Sequence, residues 1–514
     1  MQSVATRLIV ERERERMAFK RAPYWDIVAT LSAPDALGER AEFSARMIAL
    51  GGKRLAGSKD FGADGQLTPD GFAANVRQLD EAGATAVAEA LRTADFTVMS
   101  METKPYRRRP QPPFTTSTLQ QTAGNRLGMG ARVVMRAAQS LYENGYITYM
   151  RTDSVTLSQE AITAARNAVS YHFGDKFLSA EPKQYATKTA GAQEAHECIR
   201  PAGSRFHDPD ELASKLPGDQ LRLYTLIWQR TLACQMADAT GSTATVRLSA
   251  PAGPTEGEAV FQASGTVIEF PGFMKATGEG ASQGRRSRRW GWLGPGCCRR
   301  QDGRQAVRGD ASESNTSLPP MSVGQQVEAS DIEPDGHETQ PPARYTEATL
   351  VKTLEAKEIG RPSTYASIIS TIMDRGYVYE RGRALIPSWL AFSVTKLLET
   401  NFPKLVDYQF TAEMENGLDR IAHGEESGRD WLTHFYFGSG EGAARNADEA
   451  HEGCNSRSRS SARSTRAPST PSTSATACTC ASAVTARIWK TWSIWTPKAT
   501  RSARLCRTPS RRMS

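Results

Sequence analysis

One short stretch of the chain, Tyr146-Ile-Thr-Tyr-Met-Arg-Thr-Asp-Ser154, places a tyrosine beside a cation, an acid and several hydroxyl groups. A phenol that attacks a phosphodiester must lose its proton from a pKa of about 10, and the phosphate charge must be neutralised. Arg151 suits the second task because a guanidinium donates paired hydrogen bonds to phosphate oxygens. These residue types indicate phosphoryl transfer, with Tyr149 as nucleophile and Arg151 as phosphate anchor. The pattern also fits tyrosines that merely pack in an extended segment, and pattern alone does not decide between the two.

The elements predicted around this stretch place Tyr149 just after a helix. Residues 131–144 have helical spacing and end at Gly145, which suits the left-handed position after a helix. Further helices are predicted at residues 3–19, 118–126 and 219–236, after a Thr156-Leu-Ser-Gln159 capping signal, and over most of 345–422. Strand-type alternation lies on both sides of the central helices, at about 24–106 and at 243–270. We therefore expect a helical insertion that splits one β region.

Composition and charge exclude several classes of protein. The 514 residues, 39% hydrophobic and 23% charged, suit a soluble globular protein of about three or four domains. No apolar run reaches the roughly 18 residues of a membrane helix, and no secretory signal is evident, so we expect a cytoplasmic protein. Residues 453–514 hold 12 Lys or Arg and no acid, and the net charge of +8 less these 12 leaves −4 elsewhere. The charge therefore does not by itself indicate nucleic acid.

Together with other motifs in the same order, the tyrosine segment resembles the active-site signature of the type IA DNA topoisomerases. The other motifs are Met1-Gln-Ser-Val-Ala-Thr-Arg-Leu-Ile-Val-Glu-Arg-Glu13, Pro113-Phe-Thr-Thr-Ser-Thr-Leu-Gln-Gln121, Gln193-Glu-Ala-His-Glu-Cys-Ile-Arg-Pro201, Pro341-Pro-Ala-Arg-Tyr-Thr-Glu-Ala-Thr-Leu350, Gly360-Arg-Pro-Ser-Thr-Tyr365, Asp374-Arg-Gly-Tyr-Val378 and Phe410-Thr-Ala-Glu-Met-Glu415. They span residues 1 to about 440, and so many long motifs in register are a specific signal.

The resemblance implies an ATP-independent enzyme, and the chain has no Gly-rich loop ending in Gly-Lys-Ser or Gly-Lys-Thr. Tyr149 would cleave single-stranded DNA through a 5′-phosphotyrosine, allow strand passage and religate, so that negatively supercoiled duplex DNA relaxes. Arg151, Asp153 and His196 are implied close to Tyr149, with His196 as a proton carrier or phosphate contact. The residues implied to bind DNA are Arg151, Gln2, Ser3, Arg361, Ser363, Thr364 and Arg375. We expect a nucleoid-associated monomer that does not bind membranes.

The fold implied by the resemblance is an α+β multidomain toroid. The predicted parts are a base-domain helix (1–22), a first part of a β arch (23–106), a helical domain with the catalytic tyrosine (107–237), a second part of the arch (238–340), a helical base domain (341–440) and a disordered basic tail (441–514). Because the helical domain interrupts the arch, we expect the arch to let it swing.

Three departures from the family qualify this prediction. The family begins with an α/β domain that carries a Glu and an Asp-x-Asp pair for Mg²⁺, and none of it precedes Met1, so we expect the Mg²⁺ ligands to be absent and no metal site in this chain. Residues 285–317, and the chain after about 440, lose the family pattern. Their composition favours frame-shifted translation over a disordered basic DNA-binding extension.

Two other functions were weighed against the enzyme. The first is a catalytically incomplete, single-stranded-DNA-binding remnant of such an enzyme, because the metal domain is missing. The second is a tyrosine recombinase, which also forms a tyrosine–phosphate bond but uses a His-x-x-Arg spacing. The spacing here is His196-x-x-x-Arg200, which disfavours that class.

Overall fold

The structure is a computed structural model that describes residues 1–34, 40–185, 197–279 and 318–437. His196, the segment 285–317 and the tail from residue 441 lie outside these ranges, so what the sequence predicts for them stays a prediction. The chain divides into two compact units, Met1–Ala391 with Lys404–Asp419, and Phe392–Pro403 with Arg420–Ser514.

The strands of the described residues are β1 Pro23–Pro34, β2 Arg40–Leu50, β3 Lys53–Arg54, β4 Phe96–Arg108, β5 Ala239–Pro251, β6 Glu258–Phe270, β7 Gln326–Glu338, β8 Val378–Arg381 and β9 Ala384–Pro387. The helices are α1 Gln2–Ala18, α2 Pro69–Ala73, α3 Glu81–Leu91, α4 Thr116–Leu127, α5 Ala131–Glu143, α6 Gln159–Phe173, α7 Pro209–Leu212, α8 Gly218–Ala233, α9 Met274–Thr277, α10 Glu347–Ala356, α11 Tyr365–Asp374, α12 Trp389–Asn401, α13 Tyr408–Ala422 and α14 Gly428–Phe437.

Strands β1 to β7 form one antiparallel sheet in the order β1-β7-β4-β5-β6-β2-β3. Because β1 also pairs with β2, the six longer strands close into a cycle of pairings. The sheet combines strands from before and after the central helices, and the ladder of β4 with β5 runs from Thr97 opposite Ser249 to Arg108 opposite Ala239. The central helices therefore leave and re-enter the sheet at one pair of neighbouring strand ends.

The core of the sheet follows from the two-residue period of its strands. Along β1 the side chains of Ile27, Ala29 and Leu31 are buried, because alternate residues of a strand face the same side. Helix α3 adds its apolar face to this core. The rings of Phe96 and Phe261 meet edge to face at 5.3 Å. The sheet is thus a separate packed layer that supports the central helices.

A second core lies among the central helices. In α5 the buried residues Val134, Ala137, Ala138 and Leu141 repeat at helical spacing and line one face. Helix α8 contributes Trp228, which is 2% exposed. These helices therefore share one core.

A third core joins α1 with α10 and α11, the elements predicted to belong to the base domain. Its buried apolar residues are Val4, Ala5, Leu8, Ile9, Leu350, Val351, Leu354, Ile368, Ile369 and Ile372, together with residues of the neighbouring elements. The exposed face of α1 carries ion pairs at helical spacing, such as Arg7 with Glu11 at 2.7 Å. This agrees with the buried and charged faces predicted from the sequence.

The helices and strands predicted from the sequence are found in the structure, with three corrections. Strands β8 and β9 form a hairpin inside the region 345–422 that is predicted to be mostly helical, and its turn residues Gly382 and Arg383 both have positive φ, at 57° and 67°. The region 24–106 predicted as mostly β also contains α3. The helix predicted after the Thr156-Leu-Ser-Gln159 signal is α6, but its cap is Ser158 and not Thr156: the Ser158 side chain accepts a hydrogen bond from the Ala161 N–H.

The second unit shows its own local contacts among the described residues. Arg420 pairs with Glu426 at 3.0 Å, and the rings of Trp431 and Phe435 stack at 5.4 Å. Across the described ranges of the whole chain, no helix combines the length and apolar character needed to cross a membrane.

Candidate active site

The Tyr149 segment leaves α5 through a left-handed glycine. Gly145 has a φ of 75°, and the Tyr146 N–H donates to the Leu141 carbonyl at 2.9 Å, as expected at such a helix end. Ile147 then forms an isolated antiparallel bridge with Pro201. The position of Tyr149 just after a helix end is confirmed, although no regular strand forms around it.

Side chains along the segment alternate between solvent and core. Tyr149 is 40% exposed and Arg151 is exposed, whereas Met150 and Thr152 are 2% and 3% exposed. The Tyr149 ring meets the ring of Tyr142 from α5 edge to face at 5.4 Å. The exposed Tyr149 and Arg151 are separated by the buried Met150, so the segment presents a phenol and a guanidinium to solvent. A nucleophile and a cation this close in the chain can act on one phosphate.

Before Tyr149, the segment is held by the described part of the motif that ends at Pro201. The Thr148 N–H donates to the Arg200 carbonyl at 2.9 Å, and its hydroxyl donates to the Cys198 carbonyl at 2.7 Å. The buried Arg200 guanidinium forms a paired contact with Glu197, at 2.8 and 3.2 Å. Burial raises the pKa of Glu197, but hydrogen bonds from Arg200 and Ser158 outweigh it and hold that pKa below its usual range. These contacts hold the backbone of Thr148, the residue that precedes Tyr149.

Beyond Tyr149, the buried Thr116 holds the segment through its hydroxyl and its backbone N–H. Thr116, at the start of α4, is 0% exposed. Its hydroxyl donates to the Met150 carbonyl at 2.7 Å, lies 3.1 Å from the Thr152 carbonyl, and accepts from the Thr152 N–H at 2.8 Å. The Thr116 N–H donates to the same Thr152 carbonyl at 2.9 Å. Arg151 therefore lies between two residues whose backbones are anchored to α4.

The helices that carry the segment contact α10. Ser117, beside Thr116, donates its hydroxyl hydrogen to Glu355, and the Gln121 amide donates to the same carboxylate at 3.2 Å. Farther along α10, the Glu347 carboxylate accepts the Ala131 N–H, the first of α5, whose N-cap residue supplies no side-chain cap. Burial raises the pKa of Glu347. One helix thus contacts both α4 and α5 through carboxylates.

Charges of the tyrosine segment and of the base-domain helices both act on the hydroxyl of Tyr365. Burial raises the pKa of Tyr365, the negative charges of Glu355 and Asp153 act in the same direction, and Arg361 opposes them. These charges act on one hydroxyl, so the tyrosine segment and the Gly360–Tyr365 motif share one electrostatic environment.

Three of the predicted DNA contacts line one open pocket. Gln2, Ser3 and Arg375 border a cavity of about 460 Å³ together with Met1 and Tyr377. Arg375 is exposed and donates to the Gln2 side-chain oxygen at 2.9 Å. The pocket thus combines a cation with the amide and hydroxyl groups of the first turn of α1, which is the chemistry that binds a phosphate backbone.

Two of the remaining predicted DNA contacts, Arg361 and Thr364, already make hydrogen bonds within the protein. Arg361 donates to Asp419 at 2.6 and 3.0 Å, to Asn416 at 3.0 Å and to two backbone carbonyls. Thr364 accepts from the Arg361 N–H at 2.9 Å, and Ser363 is exposed. Arg361 is therefore a structural cation of the base helices in this state, while Ser363 faces solvent.

The described residues do not fit the Mg²⁺ that the family resemblance implies. One group, Asp26 with Asp335 and His337, has potential ligand atoms within 4.8 Å of one another. It lies on β1 and β7 of the sheet, whereas Tyr149 belongs to the helical core, and Asp26 is already paired with Arg46 at 3.1 Å. Mg²⁺ prefers oxygen ligands in octahedral geometry, and a buried carboxylate shared with arginine and histidine does not offer them. No step of the chemistry is assigned to this group.

Sequence reasoning missed the residues that hold the segment. Thr116, Thr148 and Glu355 were not predicted as site residues, and Arg200 was considered only for its spacing from His196. A repeated hydroxyl pattern, Thr115-Thr-Ser-Thr118, was a visible signal, since such residues favour caps and backbone contacts. The sequence around Met150 and around Glu355 did not indicate that either residue contacts this hydroxyl pattern.

With the segment, its supports and the pocket in place, comparison with known proteins identifies the family. A sequence model of the DNA topoisomerase family matches residues 1–433, and the chain belongs to this family. It is 50% identical over 446 residues to DNA topoisomerase 1 of Mycobacterium leprae, which covers 86% of this chain and 45% of that protein. It is also 50% identical over 442 residues to DNA topoisomerase 1 of Streptomyces coelicolor, covering 85% and 43%.

A solved structure agrees with these sequence matches. The full-length topoisomerase I of Thermotoga maritima matches with a TM-score of 0.62 and 28% identity, covering 84% of this chain and 61% of that one. The predicted family and the mixed helix-and-sheet fold are thus confirmed. The chain spans less than half the length of the curated relatives it matches.

Proposed function

We propose that this chain carries the DNA-cleaving tyrosine of an ATP-independent type IA topoisomerase. The observation that carries the proposal is the exposed Tyr149 beside the exposed Arg151, on a segment whose backbone is anchored on both sides. We propose single-stranded DNA as the cleaved substrate and negatively supercoiled duplex DNA as the molecule that is relaxed. A cytoplasmic, nucleoid-associated monomer is part of the same proposal.

In the proposed reaction, the Tyr149 oxygen forms a bond to phosphorus and the bond from phosphorus to the 3′ oxygen breaks. The phenol loses its proton, and the leaving 3′ oxygen gains one. Arg151 offsets the phosphate charge, and the predicted role of His196 is to carry a proton or contact the phosphate. Because one phosphodiester is exchanged for another, religation needs no nucleotide. Strand passage occurs between the two steps.

The pocket bordered by Gln2, Ser3 and Arg375 supports the proposed path of the single strand. A backbone phosphate there would meet one guanidinium and the first-turn groups of α1. This would hold one part of the strand while another part lies at Tyr149. Mg²⁺ is proposed as the cofactor on the family resemblance, and no described residue is assigned to hold it.

The direct test is covalent capture of labelled DNA by the full chain. A single-stranded oligonucleotide is incubated with protein and Mg²⁺, stopped with detergent, and examined for labelled protein. A 5′-phosphotyrosine retains a label at the 3′ end of the oligonucleotide and releases a label at its 5′ end. Relaxation of a negatively supercoiled plasmid under the same conditions tests the complete reaction.

Tyr142 offers a matched control, because it is also 40% exposed and its ring contacts that of Tyr149. We expect Tyr149→Phe to abolish the adduct and Tyr142→Phe to retain it. An adduct in Tyr149→Phe would disprove the assigned nucleophile. Binding of the oligonucleotide without any adduct in the natural chain would contradict the enzyme and support the single-stranded-DNA-binding remnant.

A further inference from the structure

The segment that carries Tyr149 is suspended between two anchors. On one side Thr148 is tied to the Arg200 backbone, and on the other Met150 and Thr152 are tied to Thr116. Tyr149 lies directly between these anchors. Because the anchored residues are buried or half-buried, their contacts decide where the exposed side chains point.

The Thr116 anchor has a backbone part, in which its N–H donates to the Thr152 carbonyl at 2.9 Å, and a side-chain part that is one hydroxyl group. Its oxygen both donates to the Met150 carbonyl and accepts the Thr152 N–H, at 2.7 and 2.8 Å. Valine has the same shape as threonine but neither donates nor accepts, so it would leave both backbone groups of the segment without this partner in a buried site. Serine would restore the hydroxyl. The side-chain part of the anchor can therefore be removed and restored with little change in volume.

The same turn of α4 connects to a different part of the fold. Ser117 donates to the Glu355 carboxylate, and Gln121, one helical turn later, donates to it at 3.2 Å. Hydrogen bonds to an ionised carboxylate are stronger than those between neutral groups. Glu355 is exposed, so its loss affects this contact more than the core. Any separation of α4 from α10 removes the acceptor from Ser117, the neighbour of Thr116.

We propose that Thr116 is a positioning residue for Tyr149 and Arg151, and that Ser117 and Glu355 make this positioning depend on contact between α4 and α10. This rests on the proposed function of Tyr149. The position of Tyr149 thereby depends on whether the helical region is packed against α10. When α4 leaves α10, the turn that holds the Met150 and Thr152 backbones loosens.

The first experiment measures amide hydrogen exchange and needs no catalysis. In Thr116→Val the Thr152 amide loses its acceptor, and we expect it to exchange about tenfold faster. Thr116→Ser should restore the natural rate. Thr231→Val is the matched control, because Thr231 is equally buried and its hydroxyl donates within α8, to the Ile227 carbonyl at 2.9 Å. Equal exchange of the Thr152 amide in Thr116→Val and the natural chain would overturn the proposal.

An exposed position keeps the proposal testable if Thr116→Val does not fold. We expect Glu355→Ala to speed exchange at Thr152 about threefold, and Lys352→Ala, exposed on the same helix, to leave it unchanged. Ser117→Ala, at the buried partner of Glu355, should have the same effect as Glu355→Ala. If Glu355→Ala behaves like Lys352→Ala, the link to α10 is refuted.

The second experiment separates positioning from binding. At saturating oligonucleotide we expect Thr116→Val to form the covalent adduct about tenfold more slowly, with its dissociation constant for DNA unchanged and its rate rescued by Thr116→Ser. A loss of DNA binding instead, or no rescue by serine, would show a merely structural role. If the natural chain forms no adduct, the proposed function fails, and the exchange experiment still decides the positioning of the segment.

Discussion

Replacing Arg200 by methionine should destabilise the helical region strongly although Arg200 does not face solvent at the site. Its side chain is 7% exposed and pairs with Glu197, and it also donates to the carbonyls of Pro201 and Gly203 at 2.9 and 3.3 Å. Methionine fills a similar volume without a charge. Glu197 would then keep a half-buried carboxylate without its main partner.

The expected loss follows from the burial of this pair. Breaking a buried ion pair from one side costs about 3 to 5 kcal/mol. Because the Glu197 side chain is 29% exposed and water can partly replace arginine, we take the lower value of about 3 kcal/mol. For the compact unit Met1–Ala391 with Lys404–Asp419, an unfolding entropy of about 2.1 cal/mol/K per residue makes that a fall in melting temperature of about 3 to 4 °C.

The assay is thermal unfolding followed by circular dichroism, with Arg205→Met as control. Arg205 lies in the same region and pairs with Glu211 at 3.4 Å, but its side chain is 87% exposed, so we expect a loss of less than about 1 kcal/mol. Hydrogen exchange of the peptide around Thr148 should rise in Arg200→Met alone. If both variants melt within about 2 °C of each other, the buried pair does not hold this region.

Three further predictions concern the base helices. Glu347→Ala should cost about 1 kcal/mol because Ala131 loses its acceptor, whereas Glu347→Gln keeps one. Burial raises the pKa of Glu347, so the stabilising contribution of this carboxyl is complete below the unfolded pKa and is lost as pH rises through the folded pKa. The melting temperature of Glu347→Gln should therefore rise relative to that of the natural chain as pH rises. A difference in melting temperature that does not change with pH would contradict this. Arg375→Ala should lower the salt dependence of oligonucleotide binding by about 0.7 in logarithmic slope, measured by fluorescence anisotropy, and an unchanged slope excludes the phosphate contact. Arg361→Ala and Asp419→Ala should both lower the melting temperature, because each breaks the same pair; a DNA-binding defect without destabilisation would assign Arg361 to DNA alone.

The sequence identified features that depend on local chemistry. Gly145 was predictable as a helix end because few residues other than glycine adopt its positive φ. The position of Tyr149 just after that helix end followed from the same signal, whereas its role was predicted from the family resemblance of its segment. The hairpin β8–β9 was missed because its turn places Arg383 at a positive φ, where asparagine or glycine would have given the usual signal.

The supports of the site could not be predicted for a different reason. Thr116 meets Met150 across 34 positions of sequence, and Ser117 meets Glu355 across 238. No sequence periodicity predicts such pairs, because the two residues of each pair meet only in the folded protein. Arg361 shows the same limit, since the fold supplies it with Asp419 and Asn416, partners that its local sequence does not indicate.

The inserted helices leave the sheet at the end of β4 and re-enter it at the start of β5, and this arrangement predicts an order of folding. The β4–β5 ladder is in effect a hairpin whose loop runs from residue 109 to residue 238, since Arg108 lies opposite Ala239. Closing a loop of that length costs about 3 kcal/mol more in chain entropy than closing an ordinary turn of four residues. Compaction of the inserted helices brings the strand ends together in advance, so we expect the helices to form before the ladder closes. A mutation in the insertion would then slow closure of a sheet that it never touches.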